Sequence, residues 1–427
     1  MSAIKPQTAA DDLDPAVLDA VVQAFSAAGP GARIYVQGAG GEPLALRAAL
    51  AAVPHLLNGA TVTSSLLPGI NGFDYSALHP GARLETFMLP AELREGFIAG
   101  RVIALPLPYS EIGGYLAGRD FDLAVVQTTA PDAQGRAGFG PCADFAAPVF
   151  ARARRRLALV NPHLPDVRRG PRVDLAQAEH VAIVPGPFIL GEAEVSEPIL
   201  EAIAARVAEL VPDGASLQTG IGGAPAAVVA RLTDRSGLVI RSGMVTPGYQ
   251  SLAEAGALDP VAEHITGLAH GPEPFLRWAA EHLVFAGTDQ THDVAALAAL
   301  PRFTAVNSAL EIDLFGQVNL EWREGRLFGG LGGAPDFARA ARLSEGGRAI
   351  LAFPATAKSG RISRIVPRLA SPTVSLPRDL ADTVVTEHGT AALRGLDMGA
   401  RARSLIALAA PEHRDALARA WREMGPF

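Results

Sequence analysis

Two glycine-dense turns carry the strongest chemical signal in the sequence. Gln218-Thr219-Gly220-Ile221-Gly222-Gly223-Ala224-Pro225 follows an apolar, strand-like stretch and leads into a run with helical spacing. Glycines let the backbone approach a ligand closely, and a helix N-terminus favours negative charge. Gly220, Ile221, Gly222, Gly223 and Ala224 could therefore cradle a phosphate or an oxyanion. The same spacing also suits a tight strand–helix turn with no ligand, and it is not the dinucleotide fingerprint, because the third glycine is missing. Gly329-Gly330-Leu331-Gly332-Gly333-Ala334-Pro335 places four glycines in five positions ahead of a proline that can open a helix. Its N–H groups suit an oxyanion or phosphate, with a plain surface loop as the alternative.

Other groups are weaker. Alternation in Asn307-Ser308-Ala309-Leu310-Glu311-Ile312-Asp313 puts Glu311 and Asp313 on one face of a strand. Paired carboxylates can do acid–base work, but the polar end of a strand entering a turn explains them as well. His292 lies between acids in Asp289-Gln290-Thr291-His292-Asp293, although sequence neighbours rarely form a triad. Lys358 could hold a phosphate or nothing. Cys142, in Gly140-Pro141-Cys142, has no clear activating neighbour and reads as structural. No zinc-like Cys/His cluster and no Gly-x-Ser-x-Gly elbow occurs, so no metal is expected.

The elements that must position these groups come in two echoing halves. GARIYVQGAGGEP (31–43) resembles GASLQTGIGGAP (214–225), and DLAVVQTTAPDAQGRAG (122–138) resembles TAVNSALEIDLFGQVN (304–319). The spacing agrees: Gly40 and Gly135 lie 95 residues apart, and Gly222 and Gly316 lie 94 apart. A third echo pairs 148–162 with 335–354 in the same order, which makes duplication the economical explanation. Each half alternates apolar strands (Arg33–Val36, Leu123–Gln127, Leu157–Val160) with helical stretches such as Pro43–Val53. That alternation predicts an α/β fold with a mainly parallel sheet in each half. The Gly- and Pro-bearing stretch Val184–Glu197 marks the boundary, giving domains 1–188 and 189–427. In open sheets of this kind ligands sit at the carboxyl ends of strands, where the glycine turns fall.

Composition narrows the function class. The net charge of −7 argues against a dedicated nucleic-acid binder. No apolar run reaches the ~18 residues that span a bilayer, and Met1–Asp14 lacks the basic flank and apolar core of a signal peptide. A single cysteine precludes an internal disulfide and fits a reducing, cytoplasmic setting.

These motifs together resemble the acetyl-CoA hydrolase/transferase family, which includes the 4-hydroxybutyrate CoA-transferases and belongs to the class I CoA-transferase superfamily. The resemblance spans nearly the whole chain. It is carried by Gly38-Ala39-Gly40-Gly41-Glu42-Pro43, Leu217–Gly223, NSALEIDLFGQVN (307–319), GGLGGAPDFARAARLSEGGRAI (329–350), SRIVP (363–367), VVTEHGTAALRG (384–395) and RARSLIALAAPEHRDAL (401–417). It implies two related open α/β domains with the active site between them, acyl-CoA and a small carboxylic acid as substrates, coenzyme A released or exchanged, and a homo-oligomer such as a homodimer. It also implies that Gly333 presents its N–H to the thioester oxygen and that Gly329, Lys358 and the Gly220–Ala224 turn contact CoA.

The resemblance breaks at the chemistry. Family transferases use a glutamate that attacks the thioester and passes through a mixed anhydride to a glutamyl-CoA thioester. The matching stretch here is Ile240-Arg241-Ser242-Gly243-Met244-Val245-Thr246-Pro247-Gly248, with Gly243 where the glutamate should stand and no acid from Leu238 to Leu252. Arg241 takes the family's His position, Pro247 its Asp position, His292 replaces an asparagine, and His388 replaces a tyrosine. Glycine cannot be a nucleophile. The favoured expectation is thioester hydrolysis or other non-glutamyl chemistry, with His292 as base, Asp293 beside it, Gly333 as oxyanion donor, and Arg241 and Gly243 facing substrate. The alternatives are direct transfer in a ternary complex, and a CoA-binding sensor or inactive partner subunit.

Overall fold

The computed structural model describes residues 14–192 and 197–425. The N-terminal stretch Met1–Asp14 therefore lies almost wholly outside the described residues, as do residues 193–196 of the expected boundary. Among the described residues no helix is long and apolar enough to cross a membrane.

The first sheet has seven strands: β1 (Arg33–Val36), β2 (Thr61–Thr63), β3 (Arg83–Thr86), β4 (Val102–Ala104), β5 (Leu123–Thr128), β6 (Arg156–Val160) and β7 (His180–Ile183). They run parallel in the order β4-β3-β2-β1-β5-β6-β7. The second has eight: β8 (Ser216–Thr219), β9 (Val239–Val245), β10 (Ile265–Ala269), β11 (Val284–Phe285), β12 (Phe303–Asn307), β13 (Arg348–Ala352), β14 (Thr383–Thr386) and β15 (Gly389–Ala392). Their order is β11-β10-β9-β8-β12-β13-β14-β15, parallel except for the terminal β14–β15 hairpin.

Apart from that added edge strand, the two orders are the same. The three sequence echoes fall on corresponding strands: β1 with β8, β5 with β12, β6 with β13. Central strands such as β5 are buried at every residue, because helices cover both faces of a parallel sheet. In each sheet the strand order reverses beside the first strand, at β1/β5 and at β8/β12, and such a switch point opens a crevice at the carboxyl ends.

Backbone hydrogen bonds join the halves at that crevice. The segment after β5 pairs with β10: the Ala143 N–H donates to the Gly267 carbonyl (2.8 Å) and the Ala269 N–H to the Pro141 carbonyl (3.0 Å). Leu89 and Gly329 exchange two bonds (2.7 and 3.0 Å), and the Tyr109 N–H donates to the Gly332 carbonyl (3.1 Å). Ser110 then bonds Asp336 through both its hydroxyl (2.6 Å) and its N–H (3.1 Å). The second glycine loop is thus held against the first half.

Candidate active site

A cavity of about 670 Å³ opens at the carboxyl ends of β8, β9 and β12. The second half supplies Gly220–Gly223, Gly243, Asn307–Leu310 and Gly330–Gly333, and the first half closes it with Leu67–Gly69, Met88, Tyr109 and Asp144. Gly222 takes φ +123°, a conformation that L side chains rarely adopt, so the sharp exit from β8 into the helix Gly223–Ala230 depends on glycine there. Among the described residues, no protein acceptor takes the N–H of Ile221, Gly222, Gly332 or Gly333. Both cavity-lining turns therefore carry N–H donors without a protein acceptor, as a site for an oxyanion or phosphate requires.

The centre of the cavity is built from Gly243, His292 and Gly333. A Cβ placed on Gly243 would stand 2.8 Å from His292 Cε1 and 2.9 Å from Nε2, and one on Gly333 would stand 2.5 Å from Nε2. The imidazole thus fills the volume that a side chain at either glycine would need. Its ring is clasped by Tyr109 (centroids 5.0 Å) and Phe337 (4.7 Å) and is only 4% exposed. Burial without a counter-charge pushes its pKa down to about 3, so it is neutral at pH 7. The Thr291 hydroxyl donates to the Gly287 carbonyl (3.2 Å). That uses its one proton, so the 2.9 Å bond to the ring is donated by His292 Nδ1–H. Nε2 is left as a bare acceptor at the cavity.

Asp144 is the one carboxylate among the described residues that line this cavity, and no sequence motif singled it out. It is 8% exposed and holds φ +28°. Among the described residues the only hydrogen-bond partner of its carboxylate is the Cys142 thiol, at 3.9 Å. Burial pushes its pKa up to about 7. The Cys142 thiol is itself buried and pushed well above its usual range, first by burial and then by Asp144, which makes it inert. Arg323 and Arg364 also line the cavity; Arg323 stacks on Phe328 (4.3 Å), and Arg364 donates to the Ala309 carbonyl (3.3 Å).

Several expected site residues stand elsewhere. Arg241 does not line the cavity: its guanidinium donates to the Ile240 and Glu263 carbonyls at the far end of β9, and half-burial lowers its pKa. Asp293 is an exposed helix cap that accepts from the Ala295 and Ala296 N–H groups, because its side chain points away from the His292 ring. Gly329 is buried in the seam with Leu89, so it holds the loop in place without lining the cavity. Lys358 is exposed and paired with Glu324. Ala224 lies beneath the turn, buried and outside the lining. Glu311 bonds Asn319, and Asp313 organises the next turn through the Phe315 and Gln317 N–H groups, which is the strand-end role. No local pattern marks Asp144: its nearest site neighbour in sequence, Tyr109, lies 35 residues earlier, and the strand it packs on, β10, belongs to the other half. No group of three or more His, Cys, Asp or Glu suited to a metal occurs among the described residues.

Two matched parallel sheets meeting over glycine turns define the class I CoA-transferase fold. Residues 274–421 match the acetyl-CoA hydrolase/transferase C-terminal domain. A butyryl-CoA:acetate CoA-transferase of Anaerostipes caccae is 30% identical over 334 residues, covering 73% of this chain and 74% of the relative. The 4-hydroxybutyrate coenzyme A transferase of Clostridium kluyveri is 28% identical over 397 residues, covering 90% and 92%. The crystal structure of RipA from Yersinia pestis superposes with a TM-score of 0.86 at 26% identity, covering 96% of this chain and 98% of that one. The chain belongs to the acetyl-CoA hydrolase/transferase family.

Proposed function

We propose that this chain hydrolyses a small acyl-CoA without a covalent enzyme intermediate. The observation that carries the reading is the fit of the His292 imidazole into the space left by Gly243, which puts a neutral ring where the family resemblance expects a nucleophilic carboxylate. In this reading the thioester carbonyl accepts from the Gly333 N–H, and the Gly220–Gly223 turn with Arg323 and Arg364 holds the CoA phosphates and pantetheine arm. His292 Nε2 accepts one O–H of a water and so aims its oxygen at the carbonyl carbon. An imidazole with a pKa near 3 is a weak proton acceptor, so its part is orientation and not the base chemistry expected from sequence. The C–O bond forms, the C–S bond breaks, and a carboxylic acid and CoA thiol leave. Assembly as a cytoplasmic homo-oligomer belongs to the same reading, and light scattering of the purified protein tests the assembly.

The deciding experiment is mass spectrometry of all CoA species after incubation with a panel of acyl-CoAs, with and without added carboxylic acids. Free CoA formed without an acceptor is the expected result. New acyl-CoA formed only with an acceptor would replace hydrolysis by direct transfer, and no change in any species would leave a CoA-binding protein.

A further inference from the structure

The hydrolytic reading needs a group that takes the second proton of the attacking water, and His292 is poorly suited to it. We propose that Asp144, carried by the first half of the chain, is the proton acceptor of the reaction. The geometry rests on one spot beside β9. A Cβ on Gly267 would stand 3.5 Å from Asp144 Oδ1 and 3.1 Å from the Gly243 carbonyl oxygen, so the carboxylate and the glycine at the missing nucleophile flank the same point. Asp144 is fixed there from both sides: the Ala143 N–H donates to the Gly267 carbonyl at 2.8 Å, and the Asp144 carbonyl oxygen would lie 3.2 Å from a Cβ on Gly287. The lack of a side chain at Gly267 leaves room beside the carboxyl oxygen.

Two cavities meet at this residue. Besides the site cavity, Asp144 lines a second one of about 720 Å³ between the halves, with Leu116, Phe121, Phe145 and Phe285 among its lining residues. The titratable groups beside it are Cys142 on its own segment, Tyr35 on β1, Tyr109, the neutral His292 stacked on Tyr109, and Asp289 on the helix after Gly287; Arg119, Arg152, Arg169 and Glu263 line the second cavity with it, and Arg323 and Arg364 the first. Among the described residues no arginine pairs with the carboxylate, and burial leaves it titrating near neutrality.

The step balances. The Asp144 carboxylate takes a proton from water as the water oxygen bonds to the thioester carbon. The oxyanion sits on the Gly333 N–H. It collapses as the C–S bond breaks, and the departing sulfur takes the proton from the Asp144 carboxylic acid, restoring the carboxylate.

This inference rests on the hydrolytic reading, and one set of measurements separates the two. Hydrolysis of an acyl-CoA that the wild type accepts is followed from pH 5 to 9, alongside Asp144→Asn and Asp144→Glu, with CoA affinity measured by calorimetry. Wild-type kcat/KM should fall toward acid with an apparent pKa near 7. Asp144→Asn should lower kcat roughly 10²–10⁴-fold with CoA affinity within about twofold, and Asp144→Glu should keep partial activity with a displaced acid limb. Asn activity above about a tenth of wild type would overturn the proposal while leaving hydrolysis intact. Should Asp144→Asn fail to fold, an acid limb unmoved in Asp144→Glu overturns it. A CoA adduct on the Asp144 peptide would also overturn it, by making the carboxylate a nucleophile. A wild type with no hydrolysis of any acyl-CoA removes both.

Discussion

His292 Cε1 lies 2.8 Å from the point where a Cβ on Gly243 would stand. The two residues are 49 positions apart in sequence, on β9 and after the helix Thr288–Thr291, yet they share one volume. Side-chain size at 243 and at 292 is therefore coupled. Placing a glutamate at 243 should overpack the site by about 1–3 kcal/mol. Combining Gly243→Glu with His292→Asn should recover most of that cost, with a coupling of about 1–2 kcal/mol in denaturant unfolding. Additive effects would show that the ring and the glycine are not coupled.

Removing the ring tests orientation directly. His292→Ala should lower kcat for hydrolysis about a hundredfold, the scale of a misplaced reactant, with KM little changed. The acid limb of the pH profile should stay where the wild type has it, because a group titrating near 3 contributes nothing above pH 5. A limb that disappears with the imidazole would make His292 the base after all.

Stability against pH should show two opposed slopes. His292 has a folded pKa of about 3 against a model value of 6.5, so the unfolded chain binds more protons between those values and stability falls as pH falls through that window. Asp144 is raised to about 7 from 3.8, so the folded chain binds more protons and stability falls as pH rises from about 4 to 7. Each slope approaches about 1.4 kcal/mol per pH unit, and between roughly pH 4 and 6.5 they cancel. Denaturant unfolding of Asp144→Asn should unmask a positive slope in that window, and of His292→Phe a negative one. Slopes equal to wild type in both variants would refute the assignment.

Arginine variants should divide by position. Arg323 lines the cavity beside the glycine loops, and its loss should raise the Kd for CoA about tenfold, ~1.4 kcal/mol, with a weaker salt dependence. Arg241→Ala should leave that Kd within about twofold, because its guanidinium is spent on the Ile240 and Glu263 carbonyls outside the cavity. Calorimetry at two salt concentrations checks both.

The architecture was legible in the chain itself. Strand–helix alternation, the three ordered echoes and the glycine turns are local patterns, and local geometry obeys them: Arg33–Val36 and Ser216–Thr219 are the corresponding first strands, and Gly220–Gly223 forms the turn at the switch point. The absence of an acid between Leu238 and Leu252 needed no coordinates either. Which polar groups meet was another matter, because that depends on how two sheets face each other. Sequence adjacency offered Asp293 beside His292, but the backbone turns between them, and the acid caps a helix in solvent. Arg241 stands two residues from Gly243 on β9, but its guanidinium is held by the Ile240 and Glu263 carbonyls and does not line the cavity. Asp144 carried no motif and was invisible until β10 paired with the segment after Pro141 and pressed it against Gly267. The chain alone determined the scaffold and the acid-free stretch around Gly243. Only the packing of one half on the other decided that an imidazole fills the gap and that a buried carboxyl stands beside it, since burial and proximity across halves are properties of the folded whole.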